Sequence, residues 1–198
     1  MQEVKNRTKS QLDAALRTLL REKSPDQIRV RELTERCGIR RQSFYYHFTD
    51  VYDLFAWSVE QEGAALSSRQ ENCLTWQQAF QDLLRYISGN RDYCLAVRNT
   101  LGRPGLQRMF GGAAARLLEQ TSAYYRRRCG EEELSPPAGI DACAAAMFLG
   151  LLDSWLCGDL RQTPEALTAR VEESVRLGML GAVWQNFPRW GQREQVDK

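Results

Sequence analysis

The chain has 198 residues, of which 43% are hydrophobic and 26% charged, a composition that excludes a disordered segment and suits an ordinary globular fold. Its net charge of +2 is small, but residues 1–50 hold 11 Lys and Arg against 7 Asp and Glu, and the remainder 16 against 18. One end is therefore basic, as expected of a protein that meets a polyanion at that end only.

The six cysteines form no C-x-x-C pair and there is one histidine, so no metal and no cofactor are expected. The N-terminus is polar and lacks a secretory signal. The longest apolar run, about 142–152, is too short to span a bilayer. These features predict a cytoplasmic protein with reduced thiols and no membrane partner.

Almost every stretch carries helical periodicity and no run alternates as a strand does. A first helix is predicted over about 6–23, with Leu12, Ala15, Leu16, Leu19 and Leu20 on one stripe. Ser24-Pro25-Asp26 breaks it. A short helix over 30–37 follows, turning Val30, Leu33 and Cys37 inward and ending at Gly38. A third opens at Arg40 and runs to Phe48, and Thr49 or Asp50 caps a fourth over 51–68.

Longer helices come next, at about 76–88 and 92–101. Arg103-Pro104-Gly105 makes a turn before a helix over 106–129. Gly111-Gly112 inside it signals either a kink or close packing. A polar loop spans 131–137, a nearly all-apolar helix 138–157, and Thr163-Pro164 opens a last helix. The tail from 188 is polar. The fold class is thus all-α. The expected domains are a three-helix head over 1–50, a connecting helix over 51–71, a larger helical domain over 72–187 and the tail over 188–198.

Residues 30–47 are where function concentrates. Two short helices joined by Gly38-Ile39 make a helix-turn-helix. A helix that enters the major groove must present long donors near its N-terminus. Arg41 can give two hydrogen bonds to guanine, and Gln42 can pair with adenine. Arg29, Arg31, Ser43, Tyr46 and His47 suit the phosphate contacts that hold the register. Adjacent residues on a helix face different ways, so one of Tyr45 and Tyr46 is expected in the core.

The order L-x-A-A-L-x-x-L-L, I-x-V-x-E-L-x-x-x-C-G-I, S-F-Y-Y-H-F and D-L-F over residues 8–54 resembles the N-terminal domain of the TetR family of bacterial transcription regulators. The string F-Y-Y-H-F-x-D-x-Y-D-L looks like a Firmicutes-type branch that includes dihydroxyacetone-kinase regulators. The resemblance implies that Arg40, Arg41, Gln42, Ser43, Tyr45, Tyr46 and His47 contact DNA, with Phe44, Phe48, Leu33 and Ile39 in a small core. Two positions depart from the family's pattern. Arg29 replaces the usual Ser or Thr before the second helix, and Val51 replaces a Lys that usually grips phosphate. Arg29 is expected to substitute in part for both contacts.

In this family the remaining helices sense a ligand and dimerise. Phe148, Leu152, Val171, Val175 and Met179 carry more apolar surface than one small chain needs and are candidates for a four-helix homodimer interface. Trp76, Phe80, Phe110, Tyr124, Met147 and Trp155 are candidates for an apolar effector pocket, though aromatics at helical spacing also build cores. The resulting expectation is a ligand-responsive repressor that binds a palindromic double-stranded operator as a homodimer. The alternative is an activator or co-regulator controlled by a protein partner. An enzyme is not expected, since the chain has no G-x-S-x-G, P-loop or H-E-x-x-H motif. A helical adaptor without DNA binding would rest only on Arg29 and Val51.

Overall fold

A computed structural model describes the backbone of residues 2–70, 73–129 and 140–186, and the side chains of residues 7–70, 73–124, 127 and 144–176. Among the described residues the chain is all-α, with no strand. The polar loop expected over 131–137 and the tail from 188 lie outside them. The chain divides into two compact units, residues 1–160 and 161–198.

The first unit opens with α1 (Gln2–Leu19), which begins and ends earlier than the periodicity predicts. Past Leu19 the chain tightens into turns, with Glu22 N–H donating to the Leu19 carbonyl at 2.9 Å. Pro25 disfavours helical geometry at the residue before it, so the stripe outlasts the helix. A 3-10 turn (Pro25–Gln27) leads to α2 (Val30–Cys37). Gly38, at φ 64°, ends α2 in the left-handed conformation that glycine adopts without strain. Next come α3 (Arg41–Tyr45) and α4 (Val51–Arg69). Asp50 is the α4 cap, accepting from the Asp53 N–H at 2.8 Å. Leu12, Leu16, Leu19, Leu33, Phe44, Phe48, Leu54 and Phe55 are all buried, so the predicted stripe of α1 does face a core.

α5 (Trp76–Gly89) is capped by Thr75, and α6 runs Arg91–Cys129 with a break at Gly102. The turn predicted at 103–105 thus becomes a one-residue break. Gly102 takes φ 59°, open to glycine, and Pro104 falls in the first turn of the second segment, where its missing N–H does no harm. α7 (Ile140–Cys157) closes at Gly158.

α4 packs most extensively on α6. A Cβ at Gly63 would sit 2.4 Å from the Arg108 carbonyl oxygen, so the two backbones meet where a side chain has no room. Gly112 lies against Ser67 of α4, which makes close packing the reason for a glycine there. One polar cluster links α1, α4 and α6. Arg17 pairs with Asp13 at 3.0 Å and Glu62 at 2.8 Å, and its guanidinium lies 4.4 Å from the Tyr93 ring centroid. The Ser58 hydroxyl donates to Asp13, which leaves the Tyr93 hydroxyl to donate to Ser58 Oγ at 2.7 Å.

In the second unit, α8 (Pro164–Asn186) starts at Thr163, whose hydroxyl accepts from the Ala166 N–H at 3.2 Å. This is the predicted cap.

Gly63→Ala forces α4 and α6 apart. It should lower the unfolding free energy by about 1–3 kcal/mol in urea titration, while Gly89→Ala, where a Cβ meets nothing within 4 Å, should change it little.

Candidate nucleic-acid interface

The reading surface rests on an apolar anchor. Phe44, in the middle of α3, is fully buried and packs 5.9 Å from the Phe48 ring. Phe48 in turn lies 5.7 Å from Trp57 of α4, with the Lys9 ammonium over both rings. With one face of α3 fixed inward, the others point out. Arg40, Arg41 and Gln42 are exposed and Ser43 is half-buried.

The helix proper is shorter than the predicted span to Phe48. Arg40 is its extended N-cap, and helical bonding fades through a turn in which Phe48 N–H still donates to the Phe44 carbonyl at 3.0 Å. Tyr45 and Tyr46 are 54% and 64% exposed, so neither is the core residue expected of the pair. Phe44 and Phe48 already fill the interior, and the edge of Phe44 meets the Tyr45 ring at 5.5 Å. His47 is half-buried in that turn, its ring 5.0 Å from Tyr46.

α2 supplies the flank. Arg29 caps it, but a guanidinium has no acceptor atom, so only the return half of a capping box forms. The Glu32 carboxylate accepts from the Arg29 N–H at 2.9 Å. Lys23 and that N–H hold the Glu32 carboxyl below its usual pKa. Cys37 is half-buried with its thiol on the Gln11 carbonyl at 3.4 Å, and burial pushes its pKa up, which suits packing and not reactivity.

The cations divide into two groups. Arg31 is paired with Glu35 at 2.6 Å and Arg36 with Glu22 at 3.1 Å. Both pairs are exposed and worth no more than about 1 kcal/mol, so phosphate competes with them readily. Arg29, Arg40 and Arg41 have no ion pair among the described residues.

Val51, where the resemblance leads one to look for Lys, is buried at the start of α4, and its neighbour Tyr52 is 46% exposed. Tyr52 and Lys9 carry no sequence signal for this surface beyond their residue types.

The candidates for other roles scatter. Trp76, Phe80 and Phe110 are buried in the core, Tyr124 and Trp155 are half-buried, and Met147 is 71% exposed. Phe148 and Leu152 are buried, and the Phe148 ring lies 5.4 Å from Phe80, a contact within the chain. Val171 and Val175 are half-exposed, and the side chain of Met179 lies outside those described.

A short helix anchored by one buried aromatic, with unpaired donors at its leading end and a left-handed glycine before it, defines a helix-turn-helix DNA-binding protein. Residues 12–56 match the family described as "Bacterial regulatory proteins, tetR family", and residues 74–176 match the "Transcriptional regulator C-terminal region". The chain belongs to the TetR family and is a DNA-binding transcription regulator.

Among curated relatives, the HTH-type dhaKLM operon transcriptional activator DhaS of Lactococcus lactis subsp. lactis (strain IL1403) is 31% identical over 77 residues. That match spans 39% of this chain and 41% of the relative, less than half its length. A solved dihydroxyacetone kinase operon activator DhaS superposes with a TM-score of 0.63 at 20% identity, over 86% of this chain and 95% of that one. The FadR regulator of Bacillus subtilis, solved with stearoyl-CoA, gives 0.58 at 17% over 83% and 95%. At such identities the structures speak for the fold. The branch expected from the F-Y-Y-H-F string is the one DhaS represents. No described helix is long and apolar enough to cross a membrane.

Arg29→Ala should reduce the slope of log affinity against log salt by about 1 and weaken binding evenly across DNA sequences. Gln42→Ala should instead relax preference at one base pair, by about 1–3 kcal/mol of discrimination. Filter binding to a randomised operator at several salt concentrations separates the two.

Proposed function

We propose that this regulator binds a two-fold operator as a homodimer, with Arg41 and Gln42 reading base edges, and that a small molecule bound among the C-terminal helices sets its DNA affinity. The observation that carries the reading is the exposed, unpaired Arg41 beside Gln42 on a helix whose opposite face is locked by Phe44. Arg29, Arg31, Arg40, Ser43, Tyr45, Tyr46 and His47 supply the surrounding phosphate and sugar contacts. In this division residues 1–50 read DNA, 51–71 connect and 72–187 sense and dimerise.

A dimer is supported by α7. Met147 is its most exposed large apolar side chain among the described residues, and a Cβ at Gly150, one turn on, would meet nothing within 4 Å. That face is better placed to meet a second copy than Phe148, whose ring packs on Phe80. Val171, Val175 and Met179 of α8 remain candidates for a dimer interface. A small-molecule effector is supported by the solved FadR relative, which holds stearoyl-CoA.

Repression is the simpler outcome of covering an operator. Activation is the second reading, favoured by the relatives named as operon activators.

The test is footprinting on the DNA upstream of the chain's own gene. Two protected half-sites about one helical turn apart, or a multiple of it, are expected. Met147→Glu should give a monomer in sedimentation and lose the paired footprint, and an unpaired footprint from the unaltered protein would defeat the dimer reading. A reporter fused to that region decides between repression and activation.

A further inference from the structure

We propose that the cavity between the C-terminal end of α4 and α5 binds a small hydroxylated anion; as the seat of the effector invoked above, this rests on that reading. The cavity measures about 530 Å³, within the range of small-molecule sites.

Its defining group is Gln70, the C-cap residue of α4. Gln70 is 3% exposed, and neither its side-chain oxygen nor its nitrogen has a hydrogen-bond partner among the described residues. Its backbone carbonyl accepts from Gln120 of α6 at 3.3 Å, and the Gln120 side-chain oxygen is itself buried and unpartnered. A buried polar group left unsatisfied is destabilising, and native proteins leave few of them. Gln70 lines the cavity, and a turn of its unpaired amide toward that space would let an occupant supply the missing partners.

The lining sets the chemistry. An amide offers one acceptor and one donor group, which a hydroxyl or carboxyl satisfies at once. The Tyr86 hydroxyl is buried on the same wall without a hydrogen bond of ordinary length. Burial, and then the Glu62 carboxylate toward which its proton is directed, push its pKa well up, so it remains a neutral phenol.

The mouth is cationic. Arg85 is engaged by Asp82 at 2.9 Å. Arg69 lies 5.8 Å from the Tyr86 ring and has no ion pair among the described residues. An anionic group at Arg69 with hydroxyls reaching Gln70 uses both of these groups. A long alkyl chain, like that of stearoyl-CoA, would leave the Gln70 amide unsatisfied.

Calorimetry on the DNA-free, full-length protein tests this with four probes. D-gluconate carries hydroxyls and a carboxylate, and D-glucose 6-phosphate carries hydroxyls and a phosphate. D-glucitol lacks the charge and acetate lacks the hydroxyls. At least one of the first two should bind at millimolar concentration or below, about tenfold or more tighter than both controls; which one binds identifies the anion.

Arg69→Gln should weaken that binding about tenfold. Gln70→Leu should abolish it while leaving the melting temperature of the free protein unchanged or raised, because an unpaired amide is no longer buried. A purely structural glutamine would instead lower the melting temperature when replaced. The proposal is overturned if neither acid binds, if Gln70→Leu binds as tightly as the parent, or if Gln70→Leu melts lower. A gel shift with the bound acid is read separately. Binding without any change in DNA affinity upholds the site and removes the effector role.

Discussion

The guanidinium of Arg17 is the constraint on which the arrangement of residues 1–160 depends. It is shared between Asp13 on its own helix and Glu62 on α4, and it covers the face of Tyr93 on α6. Burial works against its charge, yet Tyr93, Asp13 and Glu62 together hold it protonated. Remove that cation and two carboxylates are left in a partly desolvated gap, where each disfavours the other's charge. Apolar packing brings α1, α4 and α6 together without fixing their angles. The directional bonds through Ser58 and Tyr93 supply that specificity, because a network of this kind is satisfied in one geometry only.

The same logic, inverted, produces the proposed DNA-reading surface. Within the head, carboxylates are matched to particular cations: Glu32 to Lys23, Glu22 to Arg36 and Glu35 to Arg31. These pairs tie α2 to the end of α1 and brace its first turns. Arg29, Arg40 and Arg41 stand outside them. A cation without an internal partner stays solvated and meets a phosphate or guanine with no competing bond to break. The surface is therefore defined as much by where acids are missing as by where bases are present. Phe44 completes it, since a five-residue helix has no stability of its own and is held by one buried ring.

The fold and the exposed leading end of α3 were legible in the sequence because both depend on local chemistry. The stripe from Leu12 to Leu20, Gly38 as the end of α2 and Asp50 as a cap are written in residue type and spacing. α1 ends at Leu19, earlier than its apolar stripe, and the break in α6 falls at Gly102, one residue before the predicted turn. What spacing does not encode is which side of a helix finds a neighbour. Phe148 and Met147 are adjacent and equally apolar, yet one stacks on Phe80 and the other faces outward. Trp76, Phe80 and Phe110 had the composition of a pocket and went into the core. Gln70, which lines a cavity, looks in the sequence like any helix-ending polar residue. Its significance comes from burial and from missing partners, both of which exist only in three dimensions.

α4 joins these observations. Its N-terminus is capped by Asp50, directly after the turn that ends the reading helix, and its C-terminus is Gln70. The 19 residues between span about 28 Å as one rod. Between its ends, Gly63 is pressed on the α6 backbone and Glu62 is bound to Arg17. Whatever occupies the far end can influence DNA affinity only if α4 has a second arrangement that this occupant prefers. A ligand that binds both arrangements equally shifts neither. A coupling of about 1–3 kcal/mol is the usual scale of such effects. Sliding α4 into α6 is blocked by the Gly63 contact, and displacing it from α1 breaks the Glu62–Arg17 pair. A pivot of α4 about the Gly63 contact that keeps the Arg17 cluster paired breaks neither constraint. The two are closely linked because Glu62 of the cluster directly precedes Gly63 on the same helix.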